Sequence, residues 1–337
     1  MRKKNSAKHP ERLAVTLLSL LFLTTAVFAT IKYVFRAPEL TPDKPDSQID
    51  DVTPSDEDGT QDTDVIPNGR ERKEYCYNIL VSGLDDDNGG SDTNILVHFD
   101  AKNKKIALVS LPRDTLLHNE YKNNKLNFAY AKGGTELLMS EIENLLGVPV
   151  DFYVTVNLKG FIALVDQIGG VDFDIPCDMD YDDPYQDLHI HFQKGPRHLN
   201  GQEAMEVVRF RHNNDNTGYG GRQDLGRIDT QQAFLKAVAK QLLQVGNVKN
   251  IPGLVDIFCT YVKTDLTTGN LVWLGTEALN IGLSNLSFHT LPGDGTGYYN
   301  KQSVYVLDPA ATLTLVNESL NPYMQDLTAD DLDILVP

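Results

Sequence analysis

Residues 78–115 read NILVSGL (78–84), DDDNGGSD (85–92), TNILVHF (93–99), DAKNKK (100–105), IALVSL (106–111) and PRDT (112–115). Three apolar runs of strand length, separated by polar turns, predict three consecutive β-strands. Such strands carry the acidic loop and the Pro-Arg-Asp-Thr turn to one rim. The loop gathers Asp85, Asp86, Asp87 and Asp92, with Gly89 and Gly90 letting the backbone fold tightly around them. Like charges brought that close favour a hard cation, Mg²⁺ or Ca²⁺, and Mg²⁺ typically completes its shell with substrate phosphates. Arg113 would be the matching phosphate fork. Taken alone, the loop reads more simply as a solvated hairpin connection.

Outward from this stretch, the N-terminal 75 residues differ sharply from the rest. Arg2, Lys3, Lys4, Lys8 and Arg12 precede an uncharged apolar run from Leu13 to Ile31. At 1.5 Å per residue that run is long enough to cross a bilayer. The positive-inside rule then places a cytoplasmic tail at 1–12, a transmembrane helix at 13–35 and everything beyond on the extracellular side of the cell membrane. A cleaved signal peptide ending near Ala29 is the rival reading, and it also exports the body. Residues 36–73 are rich in Asp, Pro, Ser and Thr and nearly free of large apolar side chains, the composition of a disordered acidic linker. Its reach is about 35 Å for a flexible chain of this length.

The net charge of −17 excludes the basic footprint that nucleic-acid binding requires. Cys76, Cys177 and Cys259 lack metal-ligand spacing and allow at most one disulfide. Residues 74–337 alternate helix and strand signals without a linker-like break, predicting one α/β domain. Leu138, Ile142 and Leu145 mark an amphipathic helix over 135–146, stopped by Gly147. Asn157 caps a short helix, Val171 to Ile175 is a strand, and Asn200 to Glu203 forms a capping box. A long helix is expected from Asp229 to about Val245, with Phe234, Leu235, Val238 and Leu242 as its core stripe. Leu188 to Phe192 alternates as a strand with His189 and His191 on one face. A zinc pair there has no third ligand nearby in the sequence, against the plainer reading of exposed strand histidines.

A second cationic cluster lies between two helices: Arg209, Arg211, Arg222 and Arg227. Arg209 and Arg211 alternate by two, so an extended backbone points both the same way. Arg227 and Gln231 are four apart at an expected helix start, where backbone N–H groups suit an anion. Surface ion pairing is the competing account of these arginines. A divalent cation combined with arginines is a common means of holding a pyrophosphate.

Gly83-Leu-Asp85, Ser91-Asp92-Thr93, Ser110-Leu-Pro-Arg113-Asp114-Thr115, Leu126-Asn127, Gly169-Gly170-Val171-Asp172, Val208-Arg209-Phe-Arg211 and Asp224-Leu-Gly226-Arg227 with Gln231-Gln232 occur in this order. In that set the chain resembles the LytR-CpsA-Psr family of Gram-positive cell-wall proteins. The resemblance implies a central mixed β-sheet flanked by helices, with an apolar channel for a lipid tail. It implies a phosphotransferase that moves a glycopolymer, teichoic acid or capsular polysaccharide, from a polyprenyl pyrophosphate carrier to peptidoglycan. By the family pattern, Asp85 and Asp92 would hold Mg²⁺, with Mn²⁺ as the alternative. Arg113, Arg209, Arg211, Arg227 and Gln231 would bind the pyrophosphate, and Asp114 or Asp224 would orient those arginines or accept the acceptor's proton. Asp87, Gly90 and Thr230 stand where many members carry arginine, and Arg222 is a candidate replacement for one of them. A lipid pyrophosphate hydrolase and a non-catalytic lipid-pyrophosphate-binding regulator of cell-wall metabolism are the alternatives.

Overall fold

The computed structural model describes residues 35–40, 69–84, 90–185, 187–221, 223–242, 257–258 and 260–337. The tail, nearly all of the expected transmembrane helix, linker residues 41–68, Asp85 and Arg222 lie outside the described residues. Among the described residues, no helix is long and apolar enough to cross a membrane.

The opening stretch folds as read: β1 (Cys76–Leu84), β2 (Ser91–Asp100) and β3 (Lys105–Leu111) form an antiparallel meander. Helix α1 (Leu126–Leu146) follows, broken by non-helical backbone at Gly133 and Gly134, so the expected helix from Thr135 is its second segment. Gly147 ends it in the left-handed region at φ 66°, its N–H bonded to the Glu143 carbonyl. Next come β4 (Phe152–Asn157), α2 (Leu158–Gln167) capped by the Asn157 side chain, and β5 (Val171–Ile175). Strands β6 (Met179–Asp183) and β7 (Leu188–Phe192) pair as a hairpin, and β8 (Gly195–Leu199) returns to β5. Helix α3 (Gly201–Arg209) begins at the expected capping box.

Helix α4 (Gln223–Leu242) starts six residues before the sequence suggested. Arg227 and Gln231 therefore sit inside the helix, past the first four residues whose backbone N–H groups lack intrahelical partners. The polar loop residues ahead of Asp229 hid that first turn and a half. Strand β9 (Val262–Thr264), α5 (Thr268–Ile281), β10 (Leu286–Thr290), the hairpin β11 (Gly293–Tyr299) and β12 (Gln302–Leu307), and α6 (Pro309–Ser319) complete the chain.

Six strands form a mixed sheet in the order β10-β3-β2-β1-β4-β9, with β1–β4 and β3–β10 parallel. Strand alternation assigns the layers. Leu80, Leu96 and Val109 face α1 and α6 through Leu138, Ile142, Leu145 and Val316. Tyr77, Ile79, Phe99 and Ile106 face the other way, onto Leu274 and Ile281 of α5. A separate core joins α2, α3, α4 and the two small sheets around Phe210 and Phe234, both essentially fully buried. The sheet rim where β1 ends and β2 begins meets this second core, and the cavity described below opens between them.

Both described ends of the linker rest on the body. Arg70 pairs with Asp331 at 2.7 Å and Arg72 with the buried Asp151, so the folded unit begins before residue 74. Upstream, the Tyr77 hydroxyl donates to the Pro38 carbonyl at 2.9 Å, and Asn270 Nδ2 donates to the Arg36 carbonyl. Cys76 is a buried free thiol and Cys177 is also free.

Candidate active site

The Pro-Arg-Asp-Thr turn is held both from within and by its neighbours. Thr115 Oγ1 donates to the Pro112 carbonyl at 2.6 Å, and the first residues of α1 bond back to it through Leu126 N–H to the Thr115 carbonyl and Asn127 N–H to the Arg113 carbonyl. Tyr305 N–H of β12 donates to the Asp114 carbonyl at 2.8 Å. Opposite, the buried Asn94 fixes the start of β2, its Oδ1 accepting from Ser82 Oγ and its Nδ2 donating to the Ser91 carbonyl. These two anchors bring Arg113 Nη1 to 2.6 Å from Asp92 Oδ1.

Burial pushes the Asp92 carboxyl up, but Arg113 outweighs it, with Arg227 and Arg211 adding to the effect, and the pKa ends below its ordinary value. Asp92 is thus an anionic oxygen donor at neutral pH. Arg113 Nε also lies 3.8 Å from Asp114, whose other oxygen meets Lys125 Nζ at 3.1 Å.

The arginine cluster arrives from the second core. Arg209 closes α3 and Arg211 lies just beyond it in non-helical backbone, with the buried Phe210 between them, and both arginines line the cavity. Arg227 is 5 % exposed, and Gln231 Nε2 donates to the Val208 carbonyl at 3.1 Å, tying α4 to α3 beside Arg209. Gln232 ties α4 to the sheet instead, its Nε2 donating to the His289 carbonyl at 2.6 Å with Thr290 Oγ1 at 2.7 Å. Gly226 explains another part of the motif: a Cβ there would stand 2.3 Å from Tyr219 Cγ, so the helix accepts that ring only without a side chain. Thr230 lies behind the site, its hydroxyl 2.9 Å from both the Tyr219 hydroxyl and the Gly226 carbonyl.

Two cavities share these residues. One, of about 560 Å³, is lined mainly by apolar side chains such as Val81, Ile95, Phe161, Leu164, Phe234 and Val238, with Arg209 and Arg211 at its polar end. The other, of about 440 Å³, is polar and includes Asp114, Asp294, Thr296, Ser303 and Tyr305. Asp92, Thr93, Arg113, Arg227 and Gln231 line both. An ionic waist therefore separates a greasy cavity from a wet cleft.

Of the residues expected from the sequence, Asp92, Arg113, Arg227 and Gln231 come together at this waist, Arg209 and Arg211 line the apolar cavity beside it, and Asp114 lines the polar side. Asp224 falls in the first turn of α4, while Asp85 and Arg222 lie outside the described residues. The sequence reading missed Lys125, Asp294, His212 and Tyr181. Tyr181 stacks edge-on against His212 with ring centroids 5.7 Å apart at the cavity wall. Lys125 and His212 adjoin quoted motifs and could have been suspected, whereas Asp294 arrives from a hairpin remote in sequence. Of the two carboxylates expected to hold Mg²⁺, Asp92 stands at the waist as an oxygen donor paired with Arg113, and Asp85 lies outside the described residues.

Fold and site together define a mixed α/β protein with a carboxylate and arginine site set between an apolar and a polar cavity. The chain belongs to the LytR_cpsA_psr family, whose pattern it matches over residues 44–320. It is 32 % identical over 272 residues to the polyisoprenyl-teichoic acid–peptidoglycan teichoic acid transferase TagV of Bacillus subtilis, spanning 77 % of this chain and 67 % of that one. It is 32 % identical over 251 residues to the TagU transferase of the same description from Bacillus cereus, spanning 73 % and 78 %. The crystal structure of B. subtilis TagV superposes with a TM-score of 0.61 at 29 % identity, covering 71 % of this chain and 94 % of that one.

Proposed function

We propose that the chain transfers a glycopolymer of the teichoic acid class from a polyprenyl pyrophosphate carrier to a peptidoglycan hydroxyl. The observation that carries this reading is the shared waist: Asp92, Arg113, Arg227 and Gln231 border the apolar cavity and the polar cleft at once. A pyrophosphate held there would have its lipid tail on one side and an incoming hydroxyl on the other. The family relatives named as teichoic acid transferases support the substrate class.

In this reading, the acceptor oxygen attacks the phosphorus that bears the polymer. A new P–O bond joins polymer to acceptor as the bond to the polyprenyl phosphate breaks, and the lipid phosphate leaves with the electron pair. The acceptor proton passes to a carboxylate, for which Asp114 on the polar side and Asp224 are the candidates. Arg113, Arg209, Arg211 and Arg227 stabilise the charge that develops on the leaving phosphate, and they do so without reorganising. Asp92 together with Asp85 would hold Mg²⁺, which would supply further neutralisation of the pyrophosphate charge when bound. The apolar cavity contributes binding at about 0.8 kcal/mol per buried CH₂ of the tail. Residues 13–35 would anchor the chain in the cell membrane with the domain outside, and the linker would keep the site near its lipid supply.

Incubating the full chain with a polyprenyl pyrophosphate-linked polymer, Mg²⁺ and peptidoglycan tests this directly. Polymer joined to peptidoglycan by a phosphodiester is the expected product. Polymer phosphate released to water, or binding without turnover, would overturn it in favour of a hydrolase or a regulator.

A further inference from the structure

We propose that Asp182, His189 and His191 form a binding site for a divalent transition metal of the Zn²⁺ type on the outer face of the β6–β7 hairpin. The third ligand missing from the local sequence is supplied across the hairpin. Antiparallel register sets Asp182 opposite His189 and Asp180 opposite His191, so all four project from one face. Asp182 Oδ1 lies 2.5 Å from His189 Nδ1 and 3.3 Å from His191 Nε2. One donor atom from each of the three falls within 4.8 Å of the other two. A tetrahedral Zn²⁺ with bonds of about 2.0–2.1 Å needs its donors roughly 3.3 Å apart, so His189 would move outward from Asp182 while the two histidine nitrogens stay within converging range.

The remaining ring nitrogens are also provided for. Asp180 Oδ1 stands 2.8 Å from His191 Nδ1, and Asp187 Oδ1 stands 3.6 Å from His189 Nε2. Asp187 stands only within ion-pair range of His189, whereas His191 has a hydrogen-bonded carboxylate behind it and a nitrogen converging on Asp182 in front. That is the carboxylate–histidine–metal arrangement that fixes ring orientation and raises ligand basicity. Imidazole and carboxylate donors suit Zn²⁺, Cu²⁺ or Ni²⁺ better than Mg²⁺. Three protein ligands leave the fourth position to water.

The location gives the site a role. On the inner face of the same hairpin, Tyr181 and Leu188 line the apolar cavity, and Ile190 and Phe192 are buried in the second core. A metal bridging both strands would brace the cavity wall from outside, away from the pyrophosphate waist.

The test uses the full chain in detergent, stripped with chelator and held in saturating Mg²⁺ to mask hard-cation sites. Zn²⁺ titration by calorimetry should show one tight equivalent and a rise in Tm, and Co²⁺ should give the visible bands of tetrahedral nitrogen and oxygen ligation. His189→Ala with His191→Ala should abolish all three, while Asp180→Asn should weaken binding about 10–100-fold. All these side chains are exposed, so circular dichroism of the variants should match the parent. Absence of a tight equivalent in the parent, or its survival in the double variant, would overturn the proposal whatever the transferase assay gives.

Discussion

At the scale of single residues, Arg113 concentrates the argument. It bonds Asp92, touches Asp114 and borders both cavities, while its own backbone is pinned by α1. Removing one such preorganised charge stabiliser typically lowers turnover by about 10²–10³. Arg113→Ala should therefore reduce transfer by that order while leaving the Tm close to the parent's. Gly226 acts through space rather than charge. In an exposed helix interior Gly→Ala gains about 1 kcal/mol, yet here the new methyl meets Tyr219 at 2.3 Å. Overpacking of this kind costs about 1–3 kcal/mol, so Gly226→Ala should lower stability in denaturant unfolding, and Tyr219→Ala combined with it should restore part of the loss. The gathering of Asp92, Arg113, Arg209, Arg211 and Arg227 around one cavity was legible in the sequence because charge clusters and motif order betray it. The role of Gly226 was not, since nothing in the sequence says which ring it must admit.

At the scale of elements, periodicity identified most of the frame. The β1–β3 meander, α2 with its Asn157 cap, β5 and the capping box of α3 all stand where spacing placed them. Elements were missed where polar side chains face a neighbour instead of solvent. Helix α4 begins among glycine and polar residues, and its orientation depends on Gln232 reaching the β3–β10 edge. Gln232→Ala should loosen α4 from the sheet, raising KM for the lipid donor more than it lowers kcat, as steady-state kinetics would show. The β6–β7 hairpin illustrates a further limit: a sequence displays the i, i+2 histidines of one strand, but cross-strand neighbours emerge only once register is known.

At the scale of the whole molecule, the chain closes on itself where the linker meets the C-terminal segment. Arg70 donates to Asp331, and this hydrogen bond, with help from Thr328, pulls the Asp331 carboxyl down to about 2. A depressed carboxyl stabilises the fold above its unfolded value near 3.9, and that contribution is lost as pH falls through the folded value. Asp331→Asn should thus lower the Tm at neutral pH and make its decline between about pH 4 and pH 2 shallower than the parent's. This closure was hidden because the acidic composition of 36–73 masks the two arginines at its end. If the waist between the two cavities is where transfer occurs, peptidoglycan-linked polymer formed from a polyprenyl pyrophosphate donor must differ between the parent and Arg113→Ala. The parent should give linked product and the variant about 10²–10³ less. Equal product from both, or none from the parent with intact donor and acceptor, would contradict transfer at the waist.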